Sequence, residues 1–352
     1  NVHVYCLVRA PTLESASKKL IQSFKQLLLD HTLLSKPNVT IICGDVTRKH
    51  LGIENPSMWK QLVDNVSIIY HLAANVNFQL SYSQLKESNT VSVARIVELA
   101  AANANSMKRI VFLSTCSVLS NDMLALEDDL LLTSKWSTSL QVSKLLEQSW
   151  NSNSTSGYAI SKLVSELLLC RLDLPVNSVA IVRTNMIAPS YKGSMNKTDW
   201  IFRLLAGCKL AGIVPSSVLD KEHAVQATSV DYTCNLLQQL GFSPEMPIIV
   251  NVAPKGALIN LQRWFKKMQG VQVLSHEQWF NEMTSCMLAS TIKNPLFALL
   301  AMFANGIPTA SEIELKMIKS NYETAGEIGE VTLLGCNDEY VEACVRFIDK
   351  NL

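Results

Sequence analysis

Residues Arg109–Thr115 read RIVFLST, an apolar run that ends in two hydroxyl side chains. A second stretch, Gly157–Lys162, reads GYAISK and leads into an apolar segment. We predict that the first stretch is a buried strand and that the second opens a helix. On a helix, residues four apart share a face, so Lys162 is predicted to lie beside Tyr158.

Together the two stretches predict hydride-transfer chemistry. A Lys162 ammonium close to Tyr158 would favour the tyrosinate and lower the pKa of the phenol, which makes it a better proton donor. Thr115 would supply a second hydrogen bond to the same substrate oxygen. Tyr-x-x-x-Lys alone is a weak signal, because many surface helices carry it by chance. The Ser-Thr end of the strand and the glycine before the tyrosine make the combination much stronger.

Outward from these stretches, the first half of the chain alternates strand and helix. The predicted strands are Val2–Val8, Val39–Cys43, Ser67–His71, Ile110–Leu113 and Ser178–Arg183. The predicted helices between them are Leu13–Leu34, Trp59–Val63, Val91–Ala102 and Ala159–Cys170. Continuous apolar strands between helices indicate a parallel sheet covered on both faces, the Rossmann-type doubly wound α/β fold. Ligands of such sheets bind at the carboxyl ends of the strands.

One part of this fold is absent from the sequence. A dinucleotide-binding sheet begins with a strand and a Gly-rich turn whose amides hold the pyrophosphate. No Gly-x-x-Gly-x-x-Gly occurs in the chain, which opens directly on what reads as the second strand. We therefore expect an excised fragment of a larger polypeptide that lacks its first strand and glycine loop and binds its cofactor poorly.

The strict alternation ends after the fifth predicted strand. We predict a dinucleotide-binding Rossmann core at residues 1–194, interrupted by an insertion or lid at 119–156. A substrate-cap helix region follows at 195–228, and the chain returns to the core at 229–255. Residues 256–352 are predicted to form a smaller, mostly helical substrate-binding region. Long loops such as 119–156 are usually lids, binding loops or disordered segments.

The composition narrows the class of protein. The chain has 352 residues, 48% of them hydrophobic, and a net charge of +1. The near-neutral charge gives no support for a nucleic-acid partner. The nine cysteines mostly occur singly in apolar runs and form no Cys-x-x-Cys pair, which predicts reduced thiols in a cytoplasmic protein. We predict no metal site.

The most apolar stretch is Leu296–Ala304, between Asn294-Pro295 and Asn305-Gly306. It is too short to span a bilayer, so no membrane span is predicted. We predict a buried or dimer-facing helix there, and a lipid-facing lid helix is the alternative.

These residues resemble the extended short-chain dehydrogenase/reductase superfamily. Within it, the chain looks most like the terminal thioester reductase domains of polyketide and nonribosomal peptide synthetases, carboxylic acid reductases and aminoadipate reductases. The matching pieces are Cys6–Ala10, Gly44–Val46, Tyr70–Phe78, Ser114–Val118, Gly157–Lys162, Val182–Arg183, Asp199–Cys208, Gly212–Pro215 and Val230–Tyr232. The segments CLVRA at Cys6–Ala10 and AANVN at Ala73–Asn77 are more specific to this family than Tyr-x-x-x-Lys.

The resemblance implies a catalytic triad of Thr115, Tyr158 and Lys162, with NADPH as the cofactor. Arg9 ends the second strand, where the adenosine ribose would lie, and an arginine there suits a 2′-phosphate. Because no acidic residue takes its place, NADPH is favoured over NADH. The other cofactor contacts that the resemblance implies are Lys19 beside Arg9, Asp45 and Val46 at the adenine, Ala73 and Ala74 at the ribose and pyrophosphate, and Asn89 and Lys162 at the nicotinamide half.

Three positions depart from the family's pattern. The family usually has Arg-Pro-Gly where this chain has Arg183–Asn185 (RTN), and it commonly has glycine where this chain has Ser92. Its catalytic helix usually reads Ser-Lys-Trp, whereas Leu163 follows the lysine here. The first two departures change how closely the backbone can approach the nicotinamide and the substrate.

The predicted activity is NADPH-dependent reduction of an acyl or peptidyl thioester on the phosphopantetheine arm of an upstream carrier domain. The product would be an aldehyde, and a second hydride would give an alcohol; the sequence leaves both outcomes open. A fatty acyl-CoA reductase is the nearest alternative. A nucleotide-sugar or steroid dehydrogenase fits Ala73–Asn77 less well. The alternative from another class is a catalytically inactive NADP-binding or docking module.

Some of these residues also have ordinary structural interpretations. Asp45 follows a glycine and could be a turn residue, and Arg9 could be a solvated arginine. His71 ends a predicted strand and reads as a core histidine. Because strand side chains alternate between faces, Cys116 should point away from the side that carries Thr115.

Overall fold

A computed structural model describes residues 2–103, 105–118, 156–172, 174–175, 177–219, 224–245, 249–252, 258–289, 293–308 and 338–352. Apart from Ser156, the predicted lid at 119–156 lies outside the described residues. The chain divides into two compact units. Unit 1 comprises Asn1–Asn185 and Thr233–Val252, and unit 2 comprises Met186–Tyr232 and Ala253–Leu352.

Strands and helices alternate through most of unit 1. The strands of the chain are β1 Val4–Val8, β2 Val39–Cys43, β3 Ile68–His71, β4 Arg109–Thr115, β5 Val179–Thr184, β6 Met186–Ala188, β7 Ile213–Pro215, β8 Ala224–Ser229, β9 Ile249–Val252, β10 Leu258–Asn260 and β11 Gln272–Leu274. The α-helices are α1 Leu13–Gln26, α2 Pro56–Asn65, α3 Tyr82–Lys86, α4 Ser92–Ala101, α5 Gly157–Arg171, α6 Trp200–Ala211, α7 Val230–Phe242, α8 Leu261–Lys266, α9 His276–Ala289 and α10 Asp338–Asn351. A π-helical turn at Glu87–Val91 joins α3 to α4.

The strands of unit 1 pair in parallel but form two sheets. β1 pairs with β2, and the second sheet has the order β3-β4-β5-β9. In the doubly wound order 3-2-1-4-5-6, β1 and β2 take the places of the second and third strands, and β3, β4 and β5 take the next three. Among the described residues, no strand pairs between β1 and β3, which is the place of the first strand. The predicted parallel α/β fold is therefore confirmed, and the sheet divides where the first strand is predicted to be missing.

Burial explains why β4 and β5 read as continuous apolar runs. All residues of β5 are buried, and so are Ile110, Val111 and Phe112 of β4. Strands that are covered on both faces lose the alternation of polar and apolar side chains. One hydrophobic core spans both sheets of unit 1; its buried members include Ile42, Leu62, Ile96, Ile110, Phe112 and Ile181.

The helix predicted at Leu13–Leu34 is shorter in the structure. It ends at Gln26, because Leu28 has a φ of 58°, in the left-handed region that a right-handed helix does not use. The Asp30 side chain then caps a separate 3₁₀ helix at His31–Ser35. The periodicity of the apolar residues continued across this break and concealed it.

Unit 2 combines short strands with helices around an aromatic core. β8 pairs in parallel with β6 and antiparallel with β10, and β7 pairs with β11. The Asp199 carboxylate caps α6 by accepting a hydrogen bond from the Ile201 amide at 2.9 Å. Gly212 ends this helix with a φ of 69°, which suits glycine. The fully buried large side chains of the unit include Trp264, Trp279, Phe265, Phe303 and Leu204.

The most apolar stretch of the sequence forms a 3₁₀ helix at Pro295–Phe303. Asn294 begins it: its Oδ1 accepts a hydrogen bond from the Leu296 amide at 2.9 Å, and its Nδ2 donates to the Gly207 carbonyl at 2.8 Å. Leu296 and Phe303 are buried in the core of unit 2, as predicted for a buried helix. Within the described part of the chain, no helix combines the length and the apolar character that crossing a membrane requires.

Candidate active site

The start of α5 packs directly on the backbone of the segment after β3. A Cβ atom added at Gly157 would lie 2.4 Å from the Leu80 carbonyl oxygen and 2.6 Å from the carbonyl carbon of Ser81. Atoms do not approach that closely, so only glycine permits this packing. The glycine before Tyr158 therefore fixes the start of the helix against its neighbour.

Tyr158 is buried, with 7% of its surface exposed. The Phe78 ring meets the Tyr158 ring edge-on, with 5.1 Å between the ring centroids. Burial raises the pKa of the Tyr158 phenol to about 12. The prediction that this pKa is lowered is therefore wrong, because loss of hydration disfavours the tyrosinate. A phenol with this pKa stays protonated at neutral pH and can donate a hydrogen bond.

Lys162 lies one turn further along α5 and is 2% exposed. Its Nζ atom is 4.0 Å from the centroid of the Phe112 ring, a cation–π contact. Burial lowers the pKa of Lys162 to about 7, and the Glu166 carboxylate opposes this shift. His71 stacks on the same Phe112 ring at 5.7 Å. Burial, together with the charge of Lys162, lowers the pKa of His71 to about 3, so this histidine is a neutral core residue at physiological pH.

Glu166 and Arg183 form a buried ion pair on the next turn of α5. Arg183 Nη2 donates to Glu166 Oε2 at 2.6 Å, and Arg183 Nε donates to both carboxylate oxygens at 3.1 Å. Ser114 Oγ donates to Glu166 Oε1 as well. Charge-assisted, bidentate bonds of this kind are the strong hydrogen bonds of proteins. Sequence reasoning missed the pair; the available signals were a glutamate four residues after Lys162 and an arginine within an apolar strand.

β4 brings Thr115 to the carboxyl end of the sheet, and β4 packs against α5. Thr115 Oγ1 accepts a hydrogen bond from the Ser117 amide at 3.2 Å and donates to Ser117 Oγ at 3.1 Å. The neighbouring Cys116 is buried, and its thiol donates to the Arg183 carbonyl at 3.6 Å. Within the described residues, no cluster of histidine, cysteine and carboxylate side chains could hold a metal ion.

Asn89 joins the loop after β3 to α5. Its Oδ1 accepts hydrogen bonds from the Asn75 amide at 2.8 Å and from Ser88 Oγ at 3.1 Å. Its Nδ2 donates to the Asn75 carbonyl at 3.0 Å and to Ser161 Oγ at 2.9 Å. These four bonds occupy both acceptor positions of Oδ1 and both hydrogens of Nδ2. Sequence reasoning missed this structural role, and the contact of Asn89 with the nicotinamide half stays a prediction.

The residues at the departures from the family's pattern are buried as well. Thr184 Oγ1 donates to the Ser114 carbonyl at 3.3 Å, and Asn185 follows it at the end of β5. Ser92 Oγ donates to the Ser88 carbonyl at 2.7 Å and lies 3.3 Å from His71 Nε2. Hydrogen bonds within unit 1 therefore accommodate Thr184 and Ser92.

Five candidate cofactor residues follow β1, β2 and β3 at the carboxyl ends of these strands: Arg9, Asp45, Val46, Ala73 and Ala74. Lys19 Nζ donates to the Arg9 carbonyl at 3.3 Å, which brings two exposed cationic residues to the end of β1. Asp45 Oδ1 accepts hydrogen bonds from the amide and the hydroxyl of Thr47 at 2.8 and 2.7 Å, so Asp45 also shapes a turn. Burial raises the pKa of Asp45, but these bonds and the charge of Arg9 outweigh it and leave the pKa below its ordinary value.

This edge of unit 1 fits a dinucleotide that carries an additional phosphate. Arg9 and Lys19 offer positive charge at an exposed position. Val46 and Ala74 are half-buried and Ala73 is exposed, so the backbone after β2 and β3 is open to a ligand. The individual contacts of these residues with a cofactor stay predictions.

The loop after β3 also exposes large apolar side chains, one of which contacts Tyr158. Leu72, Val76 and Phe78 each expose half or more of their surface, and we call them the apolar rim. The Phe78 ring is the member of the rim that contacts Tyr158. An exposed apolar group at this position can bind the hydrocarbon part of a ligand.

A protein-family model described as Male sterility protein, an NAD-binding model, matches residues 1–237. The L-2-aminoadipate reductase large subunit of Eremothecium gossypii is 27% identical over 319 residues, which cover 88% of this chain and 22% of that protein. The chain therefore spans about a fifth of the length of this curated relative. The match confirms the resemblance to aminoadipate reductases.

Solved structures confirm the fold. The terminal R domain from the myxalamid PKS-NRPS biosynthetic pathway matches with a TM-score of 0.72 at 22% identity, covering 100% of this chain and 85% of that chain. A thiolation-reductase di-domain from an archaeal non-ribosomal peptide synthetase matches with a TM-score of 0.64 at 16% identity, covering 99% and 70%. At these identities the likeness concerns the fold alone.

Proposed function

The chain belongs to the Male sterility protein family of NAD-binding domains, and we propose that it is an NADPH-dependent reductase of carrier-bound acyl or peptidyl thioesters. The observation that carries the proposal is the start of α5, where a buried phenol and a buried ammonium lie one turn apart and α5 packs on the strand that ends in Thr115. The name of the Eremothecium gossypii relative, an aminoadipate reductase, supports the same class of reaction.

We assign each part of NADPH to a different group of residues in unit 1. Arg9 and Lys19 would bind the 2′-phosphate, because a charged group fits their exposed position. Asp45 and Val46 would contact the adenine, and Ala73 and Ala74 the ribose and pyrophosphate. Asn89 and Lys162 would lie at the nicotinamide half. When bound, NADPH supplies the hydride that the reaction consumes.

The chain's own residues act on the oxygen of the thioester carbonyl. Thr115 and Tyr158 would donate hydrogen bonds to that oxygen and stabilise the negative charge that develops on it. Tyr158 Oη carries its proton at neutral pH, as its raised pKa requires, and can give it to the oxygen. The resulting hemithioacetal loses the pantetheine thiol and becomes an aldehyde. Lys162 would bind the nicotinamide ribose and place a positive charge next to the phenol.

The substrate side of the proposal rests on the apolar rim and on the architecture of the relatives. Leu72, Val76 and Phe78 offer exposed apolar surface to an acyl chain, and the Phe78 ring lies against Tyr158. One structural neighbour is a thiolation-reductase di-domain, and this chain spans about a fifth of a curated relative. We therefore infer that an upstream carrier domain presents the thioester.

A comparison of substrates tests this proposal. The complete polypeptide should reduce an acyl thioester on its carrier domain with a higher kcat/KM than the same acyl group on coenzyme A, because the carrier delivers its substrate intramolecularly. Equal or better use of free acyl-coenzyme A would identify a fatty acyl-CoA reductase instead. A protein that binds NADPH but does not oxidise it, either with the carrier-bound thioester or with acyl-coenzyme A, would be an inactive binding module.

A further inference from the structure

The Glu166 carboxylate connects the helix of the active site to the two central strands of the sheet. Ser114 on β4 and Arg183 on β5 lie opposite each other in the parallel register. Both side chains donate hydrogen bonds to this one carboxylate. Because Glu166 lies four residues after Lys162 on α5, it shares the helix face of Lys162.

The carboxylate is fixed in place. Oε1 accepts bonds from Ser114 Oγ and Arg183 Nε, and Oε2 accepts bonds from Arg183 Nε and Nη2. The side chains of Glu166 and Arg183 are 2% and 0% exposed, so water does not screen their charges. Electrostatic interactions are stronger in such surroundings than at the surface. The negative charge of Glu166 therefore acts on its neighbours from a constant position.

The charged and titratable groups around Lys162 come from several elements. Glu166 shares its face of α5 with Tyr158, His71 on β3 and Phe112 on β4 interact with Lys162, and Arg183 on β5 is paired with Glu166. Of these, Tyr158 and His71 are neutral at physiological pH, and Arg183 is cationic. Glu166 is the anion of the group.

We propose that Glu166 is a positioning residue that keeps Lys162 in its ammonium form, and that Ser114 and Arg183 hold Glu166 in the place where it does so. The inference rests on the proposed function, because it concerns the lysine of that site. It adds a role for three residues that do not touch the reacting atoms. Burial favours the neutral amine of Lys162, and the Glu166 carboxylate acts in the opposite direction.

The consequence is a specific pH dependence. If turnover requires the ammonium, it falls as the pH rises through the pKa of Lys162. Removing the carboxylate lowers that pKa, so the alkaline limb of the pH–rate profile moves to lower pH. An opposite charge at close range typically shifts a pKa by about 1–3 units, so we expect a displacement of about one pH unit or more.

Three variants of the complete polypeptide test the inference. Glu166→Gln removes the charge, and the double variant Glu166→Leu with Arg183→Leu removes it without leaving an unpaired guanidinium, which protects the fold. Ser114→Ala removes one of the bonds that fix the carboxylate, and it should move the limb in the same direction by a smaller amount. Glu87→Gln is the matched control: it removes an exposed carboxylate, paired with Arg95 in the same unit, and should leave the profile unchanged.

A second readout does not depend on activity. The ¹³Cε chemical shift of Lys162, followed against pH, should titrate about one unit or more lower in Glu166→Gln than in the wild type. The double variant also removes the Arg183 cation, so its titration should move in the same direction by less. Folded variants whose NMR titration and alkaline limb both match the wild type would overturn the inference. Reduced turnover or a lower Tm with no pH displacement would also overturn it and would indicate a structural role. Wild-type protein that oxidises no NADPH would instead refute the proposed function, and the NMR titration would still decide the inference.

Discussion

The interiors of the two units bury different kinds of side chain. Unit 1 buries charged groups, among them Lys162, Glu166 and Arg183, together with hydroxyls and amides around α5. The buried polar side chains described in unit 2 are neutral, and aromatic and aliphatic residues such as Trp264 and Trp279 form its core. Unit 1 therefore buries charged and polar groups, whereas the interior of unit 2 is mainly apolar.

The difference distinguishes buried residues that are proposed to take part in the reaction from buried residues that stabilise the fold. Taking a charge out of water destabilises a fold unless the charge is paired and hydrogen-bonded. Apolar burial of the kind that dominates unit 2 stabilises a fold directly. Departures from the stabilising pattern are expected at functional sites. Substitutions in the interior of unit 1 should consequently change turnover, charge state and stability, whereas substitutions in unit 2 should change stability.

The largest expected effect separates two buried tyrosines. Tyr158→Phe in the complete polypeptide should lower turnover about 100- to 10,000-fold and leave the Kd for NADPH nearly unchanged, because the phenol acts on the reacting oxygen. Tyr340→Phe is the matched change in unit 2, where the hydroxyl donates to the Pro189 carbonyl at 3.0 Å. It should lower stability by about 0.5–1.5 kcal/mol and preserve turnover. Wild-type turnover in Tyr158→Phe would remove Tyr158 from the mechanism.

The next effect compares a buried ion pair with an exposed one. Arg183→Met leaves the Glu166 carboxylate buried without its guanidinium, and we expect a loss of about 3–5 kcal/mol of unfolding free energy. Lys267→Met in unit 2 breaks a surface pair with Glu342 and should cause no measurable loss. Urea denaturation measures both. Equal losses for the two variants would show that burial does not distinguish the pairs.

A smaller effect concerns the exposed edge of unit 1. Arg9→Ala should weaken NADPH binding by about 1.5–3 kcal/mol, because a charge-assisted contact with the 2′-phosphate is lost. The Kd for NADH should change much less, since NADH lacks that phosphate. Lys18→Ala, which removes a nearby exposed lysine paired with Glu14, is the control. Titration of the complete polypeptide with each cofactor measures the two Kd values. An equal loss of affinity for NADPH and NADH would contradict the assignment of Arg9 to the 2′-phosphate.

The last comparison concerns the charge that unit 1 buries at Lys162. Burial lowers the pKa of Lys162 from 10.5 to about 7, so the folded chain binds fewer protons than the unfolded chain between these values. The resulting destabilisation is complete below about pH 7 and is relieved as the pH rises toward 10.5. Lys162→Met should therefore have a higher Tm than the wild type at pH 6, and the difference should shrink at pH 9. Parallel Tm curves would show that this lysine titrates as an ordinary one.

The sequence was sufficient to predict the parallel sheet and the strands and helix that carry the candidate site. β4 and β5 are apolar runs because they are buried on both faces, and α5 follows the motif that contains Tyr158 and Lys162. The break after α1 was not predictable from periodicity, because it depends on the left-handed conformation of Leu28.

The electrostatics of the site could not be read from the sequence. The pKa of Tyr158 depends on how much water the fold excludes, and spacing along a helix carries no information about that quantity. The pairing of Glu166 with Arg183 and Ser114 depends on strand register, which brings together residues that are distant in the chain. The role of Gly157 likewise appears only when the backbone at Leu80 is seen beside it.

One measurement tests the central claim most directly. The complete polypeptide, loaded with an acyl thioester on its carrier domain, is mixed with NADPH that carries deuterium at the transferable position of the nicotinamide. We predict an aldehyde with one deuterium on its carbonyl carbon, or an alcohol with two deuterium atoms on that carbon where a second hydride follows, formed in step with NADP⁺. Product formation should be about 100- to 10,000-fold slower in Tyr158→Phe. Release of the acyl chain as a free acid, or an aldehyde without deuterium, would contradict the account.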